Sequence, residues 1–159
     1  MSKTLLKRHA HGKLKAAQGL VGVYLGTMAD KAVRVDFAPE ILITSIKAGL
    51  PFQELNTLRA SLDVPMQKLA AKLGISPATL QRRKAKGRLD AVESDRLLRY
   101  ARLMGKAVEV METLENARHW LNSPQRGLGG AIPLDYAETE IGAREVEDLL
   151  GRIEYGVYS

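Results

Sequence analysis

Three histidines, a run of acids, a glycine-rich turn and a basic cluster beside a glutamine are the features of this chain whose side chains could do chemistry. His9 and His11 flank one alanine in a basic leader and His119 stands beside Trp120, so no ligand set with the spacing of a metal site forms. Glu138, Glu140, Glu145, Glu147 and Asp148 crowd one stretch. Helical spacing places Glu145 and Asp148 on an exposed face, the pattern of a solvated acidic surface rather than of a catalytic acid and base. Gly127, Gly129 and Gly130 lack a preceding strand and a following phosphate-binding lysine, so they make no nucleotide loop. No serine stands in a nucleophile motif. The absence of cysteine removes thiolate catalysis, disulfides and Cys-ligated zinc, and fits a reducing, cytoplasmic setting. The expectation is a protein that is not an enzyme and uses no metal or cofactor.

What remains is recognition of a polyanion. In the stretch from Met66 to Arg83, Ala70 is small where two helices would cross, and Gly74, four residues on, suits a turn that needs positive φ. Leu69, Leu73, Ile75 and Leu80 supply the apolar contacts that fix the crossing, while Ser76 is a good N-cap and Pro77 a good first-turn residue. The second helix then exposes Ala78, Thr79, Gln81, Arg82, Lys84, Ala85 and Lys86, with Arg88 just beyond. Such a helix enters the major groove with its first residues against base edges and its basic end against phosphates. The candidate DNA contacts are Ser76, Ala78, Thr79, Gln81, Arg82, Arg83, Lys86 and Arg88, with Gln81 and Arg82 best suited to bases. A helical hairpin with a solvated basic face is the plainer alternative. The coincidence of small-residue spacing, capping and basic run within 23 residues favours the DNA reader.

The elements that must position these residues follow from periodicity and charge. The chain has 159 residues, 45% apolar, and a net charge of +6 that is unevenly spread. Residues 1–34 carry seven Lys/Arg against one acid, residues 35–105 twelve against seven, and residues 106–159 five against ten. The basic part suits nucleic acid and the acidic part a protein. The longest charge-free stretch, Ala16 to Ala29, is too short to span a bilayer, and Gly19, Gly22 and Gly26 break it up, so it reads neither as a membrane helix nor as a signal peptide. Three parts are predicted: a basic leader, 1–38, with alternation at Val33, Val35 and Phe37 that suits a short extended segment; a helix-turn-helix and dimerisation part, 39–105; and a small helical part, 106–159. Pro39 opens a helix that stops at Gly49, and Phe52, Leu55, Leu58 and Leu62 mark a second. A long helical stretch runs from Ala91 to Leu121, with Gly105 the residue that could interrupt it. After the turn-rich Gly127–Pro133 loop, Pro133 starts a short helix, and Thr139 or Gly142 opens a last one with Val146, Leu149, Leu150 and Ile153 on one face.

With the motif placed, the chain from about Leu50 to Ser159 resembles the Xre/MbcA/ParS antitoxins. The front half looks like the Xre-type helix-turn-helix. The back half resembles the toxin-binding domain in three segments, Ala117 to Pro124, Leu128 to Asp135 and Val146 to Tyr158. The resemblance implies a mainly α antitoxin that binds and inhibits a RES-domain, NAD-degrading toxin by occluding its active site, dimerises, and represses its own operon by binding operator DNA. The candidate toxin contacts are Trp120, Glu147, Arg152, Glu154, Tyr155, Val157 and Tyr158, since aromatics and arginine dominate interface hot spots. Trp120, on an amphipathic helix, also suits core packing. A stand-alone helix-turn-helix regulator, whose C-terminal part only dimerises or senses a ligand, is the alternative.

Overall fold

The computed structural model describes residues 38–156, so the leader, with the segment expected at Val33, Val35 and Phe37, and the candidate contacts Val157 and Tyr158 lie outside the described residues. Within them every regular element is a helix, apart from one isolated bridge between Pro51 and Arg88. The mainly α architecture is the one the periodicity predicts. Helix α1 (Pro39–Ala48) begins with Pro39 at its first position and ends at Gly49, whose φ of 83° only glycine adopts cheaply. Helix α2 (Phe52–Leu62) buries Phe52, Leu55, Leu58 and Leu62 along one face. Helices α3 (Met66–Lys72) and α4 (Pro77–Lys86) form the helix-turn-helix.

Helix α5 (Ala91–Met111) is 21 residues long, about 31 Å at 1.5 Å per residue, and is the centre of the fold. A reciprocal cap starts it: Glu93 N donates to Asp90 Oδ1 at 2.7 Å and Asp90 N to Glu93 Oε2 at 2.9 Å. Leu97, Ala101, Leu103, Met104 and Ala107 on it are fully buried. The helix passes through Gly105, which is buried, so the expected interruption is not there. It ends instead where Glu112 takes a φ of 71° and the Thr113 side chain accepts from Asn116 N at 3.1 Å, capping helix α6 (Leu114–Leu121). The left-handed backbone at Glu112 breaks the helical path of α5, and the Thr113 hydroxyl then takes up one of the free amides with which α6 begins.

The division drawn between residues 105 and 106 therefore falls inside one continuous helix. Buried side chains from both sides, among them Leu58, Leu69, Leu97, Leu121, Leu134, Val146 and Leu150, belong to a single hydrophobic core. Polar bonds reinforce the join. The buried Tyr100 hydroxyl donates to Leu134 O at 3.2 Å, and burial, helped by the charge of Glu138, holds its pKa above the usual phenol value, so it stays a neutral donor. Arg118 Nε donates to Ser61 O at 2.6 Å and its Nη2 to Ala60 O at 3.0 Å, placing a cation on the carbonyl end of α2. Lys72 of α3 pairs with Asp135 and, at 3.2 Å, with Glu138.

A short 3-10 turn (Arg126–Leu128), helix α7 (Pro133–Tyr136) and helix α8 (Glu140–Glu154) complete the described residues. Of the two residues expected to open α8, Thr139 is the cap, its hydroxyl accepting from Gly142 N at 3.0 Å. Gly142 lies against the backbone of α7: a Cβ there would fall on the carbonyl oxygen of Tyr136, inside van der Waals contact. Because the obstacle is backbone, Gly142→Ala is expected to destabilise the chain by roughly 1 to 3 kcal/mol. A thermal melt checks it, the expected result being a midpoint several degrees lower.

Candidate nucleic-acid interface and partner surface

The turn between α3 and α4 is built as its sequence requires. Ile75 N donates to Ala70 O at 2.8 Å and Gly74 N to Ala71 O at 3.0 Å, the paired bonds that close a helix through a left-handed glycine, here with φ of 72°. Ala70 is 2% exposed at the crossing and Ile75 3%. A side chain at 74 would also strike the Arg96 guanidinium, which donates to Leu73 O at 3.0 Å. Ser76 Oγ accepts from Thr79 N at 3.2 Å and Pro77 opens α4. Leu80 is the residue by which α4 is buried in the core, and apart from Thr79 and Arg83 the rest of the helix stands outward.

Along that outward face Ala78, Gln81, Arg82, Lys84, Ala85 and Lys86 are exposed, with Ser76 at the cap and Thr79 half-buried. Arg82 Nη2 donates to Thr79 Oγ1 at 2.9 Å, which extends the guanidinium along the helix surface toward its N-terminal end. Two of the expected contacts are placed differently. Arg83 is turned inward: its Nε donates to Glu93 Oε2 at 2.8 Å and Oε1 at 3.1 Å, and its Nη2 to Asp90 Oδ2 at 3.1 Å. The hydrogen bond it donates to Glu93 raises its pKa further against the opposing effect of desolvation. The reason is register, since position 83 lies one turn after the buried Leu80 and so shares its face. Arg83 is thereby bound to the start of α5. Arg88 donates through Nη1 to Gly49 O at 2.5 Å and Ala48 O at 3.4 Å, closing the end of α1. Leu89 N to Leu50 O and Phe52 N to Gly87 O, both 2.9 Å, hold the same corner.

In the acidic back part Glu145 and Asp148 stand exposed, as their helical spacing predicts, whereas three other acids are paired within the chain. Glu140, Glu147 and Glu154 recur every seven residues along α8 and face the cations of α5. Arg99 Nε meets Glu140 Oε2 at 3.0 Å, Arg102 Nε meets Glu147 Oε1 at 2.7 Å, and Lys106 Nζ meets Glu154 Oε2 at 2.7 Å. Burial alone would lower the Lys106 pKa, but the bond it donates to Glu154 and the charges of Glu109 and Glu154 leave it raised. Glu147 and Glu154, expected at a toxin, are instead used within the chain. Trp120 is half-buried and packed against the core. Arg152 is half-buried on α8, and Tyr155, just past its end, is 80% exposed.

A capped helix-turn-helix packed on the same long helix as a second helical unit defines a helix-turn-helix protein with an added helical part. Comparison with known proteins gives it a family. Residues 41–102 match the model of the antitoxin Xre-like helix-turn-helix domain, and residues 106–156 that of the antitoxin Xre/MbcA/ParS C-terminal toxin-binding domain. The chain is 36% identical over 121 residues to the antitoxin Xre of Yersinia enterocolitica, covering 75% of this chain and 82% of that one. It is 40% identical over 88 residues to the antitoxin Xre of Photorhabdus laumondii, 54% of this chain and 60% of the relative. It is 27% identical over 132 residues to a Sphingobium protein named Prs ADP-ribosylating antitoxin, 77% of this chain and 83% of the relative. The chain belongs to the Xre antitoxin family and is an antitoxin of a toxin–antitoxin system. Among the described residues no helix is long and apolar enough to cross a membrane, and no group of His, Asp and Glu could hold a metal ion.

Arg82 and Arg83 should respond differently to removal. Arg82→Ala is expected to leave the melting temperature unchanged and weaken DNA binding by roughly 1 to 3 kcal/mol, whereas Arg83→Ala should lower the melting temperature. Gel shifts and melts on the two single variants separate the roles. The α5–α8 seam should show its own signature: replacing Glu140, Glu147 and Glu154 together by Gln is expected to cost roughly 1 to 2 kcal/mol of stability, less in high salt, because the pairs are partly exposed. Denaturant titrations at two ionic strengths measure it.

Proposed function

We propose that this antitoxin inhibits a RES-domain toxin that degrades NAD, covering its active site with the 106–159 part, and that it represses its own operon by binding operator DNA as a homodimer through α4. The observation that carries the reading is the coexistence, on one chain, of an outward basic helix fixed by α5 and a segment that matches a toxin-binding domain. Gln81 and Arg82 would read bases, while Lys84 and Lys86, further along α4, would meet phosphates. Helix α1 supports the dimer. It carries Ile41, Leu42, Ile43 and Ile46, yet none of its residues is fully buried and Ile43 is 51% exposed.

The name of the Sphingobium relative supports a related chemistry, ADP-ribosylation. NAD hydrolysis and ADP-ribosyl transfer break the same nicotinamide–ribose bond and differ in the acceptor, water in one and a protein side chain in the other. Either enzyme holds a pyrophosphate, and either is answered by the same inhibitor. Because α8 leans on Arg99 and Arg102 of α5, residues 106–159 in isolation would lose these partners.

Co-expression with the toxin gene encoded beside this chain is the test. The full chain should restore growth and NAD content, and a chain ending at Gly151 should fail to do so while still shifting operator DNA. NAD preserved but an ADP-ribosylated protein appearing in the absence of antitoxin would assign the transferase chemistry. Copurification of no toxin with the full chain would remove the reading and leave a stand-alone regulator.

A further inference from the structure

Helix α8 has three faces, and two of them are occupied. Val146, Leu149 and Leu150 enter the core, and Glu140, Glu147 and Glu154 form the seam with α5. The third carries Ile141, Glu145, Asp148, Arg152 and Tyr155 at spacings of four, three, four and three residues, which align them along one side. Ile141 is 77% and Tyr155 80% exposed, more than any other large apolar side chain among the described residues. They stand at the two ends of a helix about 22 Å long and bracket the exposed carboxylates of Glu145 and Asp148.

A second observation comes from Gly151, in the last turn of α8. Glycine weakens a helix relative to alanine, so its presence calls for a reason. Elsewhere in this part of the chain the reason is internal: a Cβ at Gly142 would strike Tyr136, and one at Gly127 would lie 2.6 Å from Leu149 Cδ1. At Gly151 a Cβ would meet nothing within 4 Å. The packing of the described residues does not ask for a glycine there. A backbone that comes close from outside would.

We propose that this third face of α8, with Gly151 beside it, is the seat of the toxin. The toxin backbone crosses the helix at Gly151, Ile141 and Tyr155 anchor the two ends, and Glu145 and Asp148 meet cationic groups at the mouth of the toxin's substrate pocket. The assignment rests on the NAD-consuming toxin proposed above, because a pocket that holds a pyrophosphate is electropositive and an acidic face complements it. Glu147 and Glu154 are already paired with Arg102 and Lys106, so the complementary charge falls to Glu145 and Asp148.

Three measurements on the full-length chain test this: melting temperature, operator affinity, and affinity for the purified RES-domain protein encoded beside it. Gly151→Ala should raise the melting temperature, leave operator affinity unchanged, and weaken toxin binding at least tenfold, equivalent to about 1.4 kcal/mol. Glu145→Lys with Asp148→Lys should slow toxin association, with the difference from the original chain shrinking as salt rises. The proposal is overturned if Gly151→Ala lowers the melting temperature, which would show an internal need for the glycine. It is equally overturned if both variants fold and bind the toxin as tightly as the original chain. If the original chain does not bind that protein at all, the NAD-toxin reading falls and this surface assignment with it, a result distinct from tight binding that ignores the substitutions.

Discussion

Helix α5 is the constraint on which everything else in the described residues rests. It is long, its middle is buried on nearly every side, and helices from both functional parts pack on it. Its first turn holds the recognition helix through Arg83, Asp90 and Glu93. Further along, Arg99, Arg102 and Lys106 hold α8. A single helix of about 31 Å has few ways to bend without a proline or a bulge, and none is present within Ala91–Met111. The orientation of the outward basic face of α4 relative to α8 is therefore set by one element rather than by a linker.

The ion pairs that join the parts differ in character. Arg83 meets a carboxylate that is almost fully buried, whereas Glu140, Glu147 and Glu154 are a quarter to a half exposed. Removing one partner of the first leaves a charge in the protein interior, the costly case. The second group is screened and individually weak. Apolar burial supplies most of the cohesion between α5 and α8, through Val146 and Leu150 against the core, and the seam selects the rotation of α8 about its own axis. That rotation decides which residues remain outward, and so which can meet a partner.

The same logic governs the recognition helix. Only Leu80 anchors α4 in the core, so a short helix with a strongly basic surface would be loosely held by packing alone. The Ser76 cap, the left-handed Gly74 and Gly87, and the Arg83 clamp supply what packing does not. A helix held this way keeps its outward side chains in a fixed geometry, the condition that the proposed direct readout of bases requires.

Much of this was legible in the residues themselves. The helix-turn-helix followed from Ala70, Gly74, Ser76 and Pro77 because each satisfies a local backbone requirement that does not depend on distant contacts. The mainly α architecture followed from the 3.6-residue period, and the Thr139 and Pro133 starts from capping chemistry. Local pattern could not decide which charges face outward. The inward turn of Arg83 was visible only in part, in its one-turn spacing from Leu80, and the seven-residue recurrence of Glu140, Glu147 and Glu154 marked a stripe without saying what it met. The long helix ended at Glu112 rather than at Gly105 because packing on both sides of α5 holds a glycine in place that propensity alone would let go. Sequence by itself determined the elements and the DNA-reading motif, since those depend on neighbours within a few residues. The tertiary structure alone decided that the acidic part turns toward the basic part of the same chain, because opposite charges brought together across a shared core pair with each other before any partner arrives.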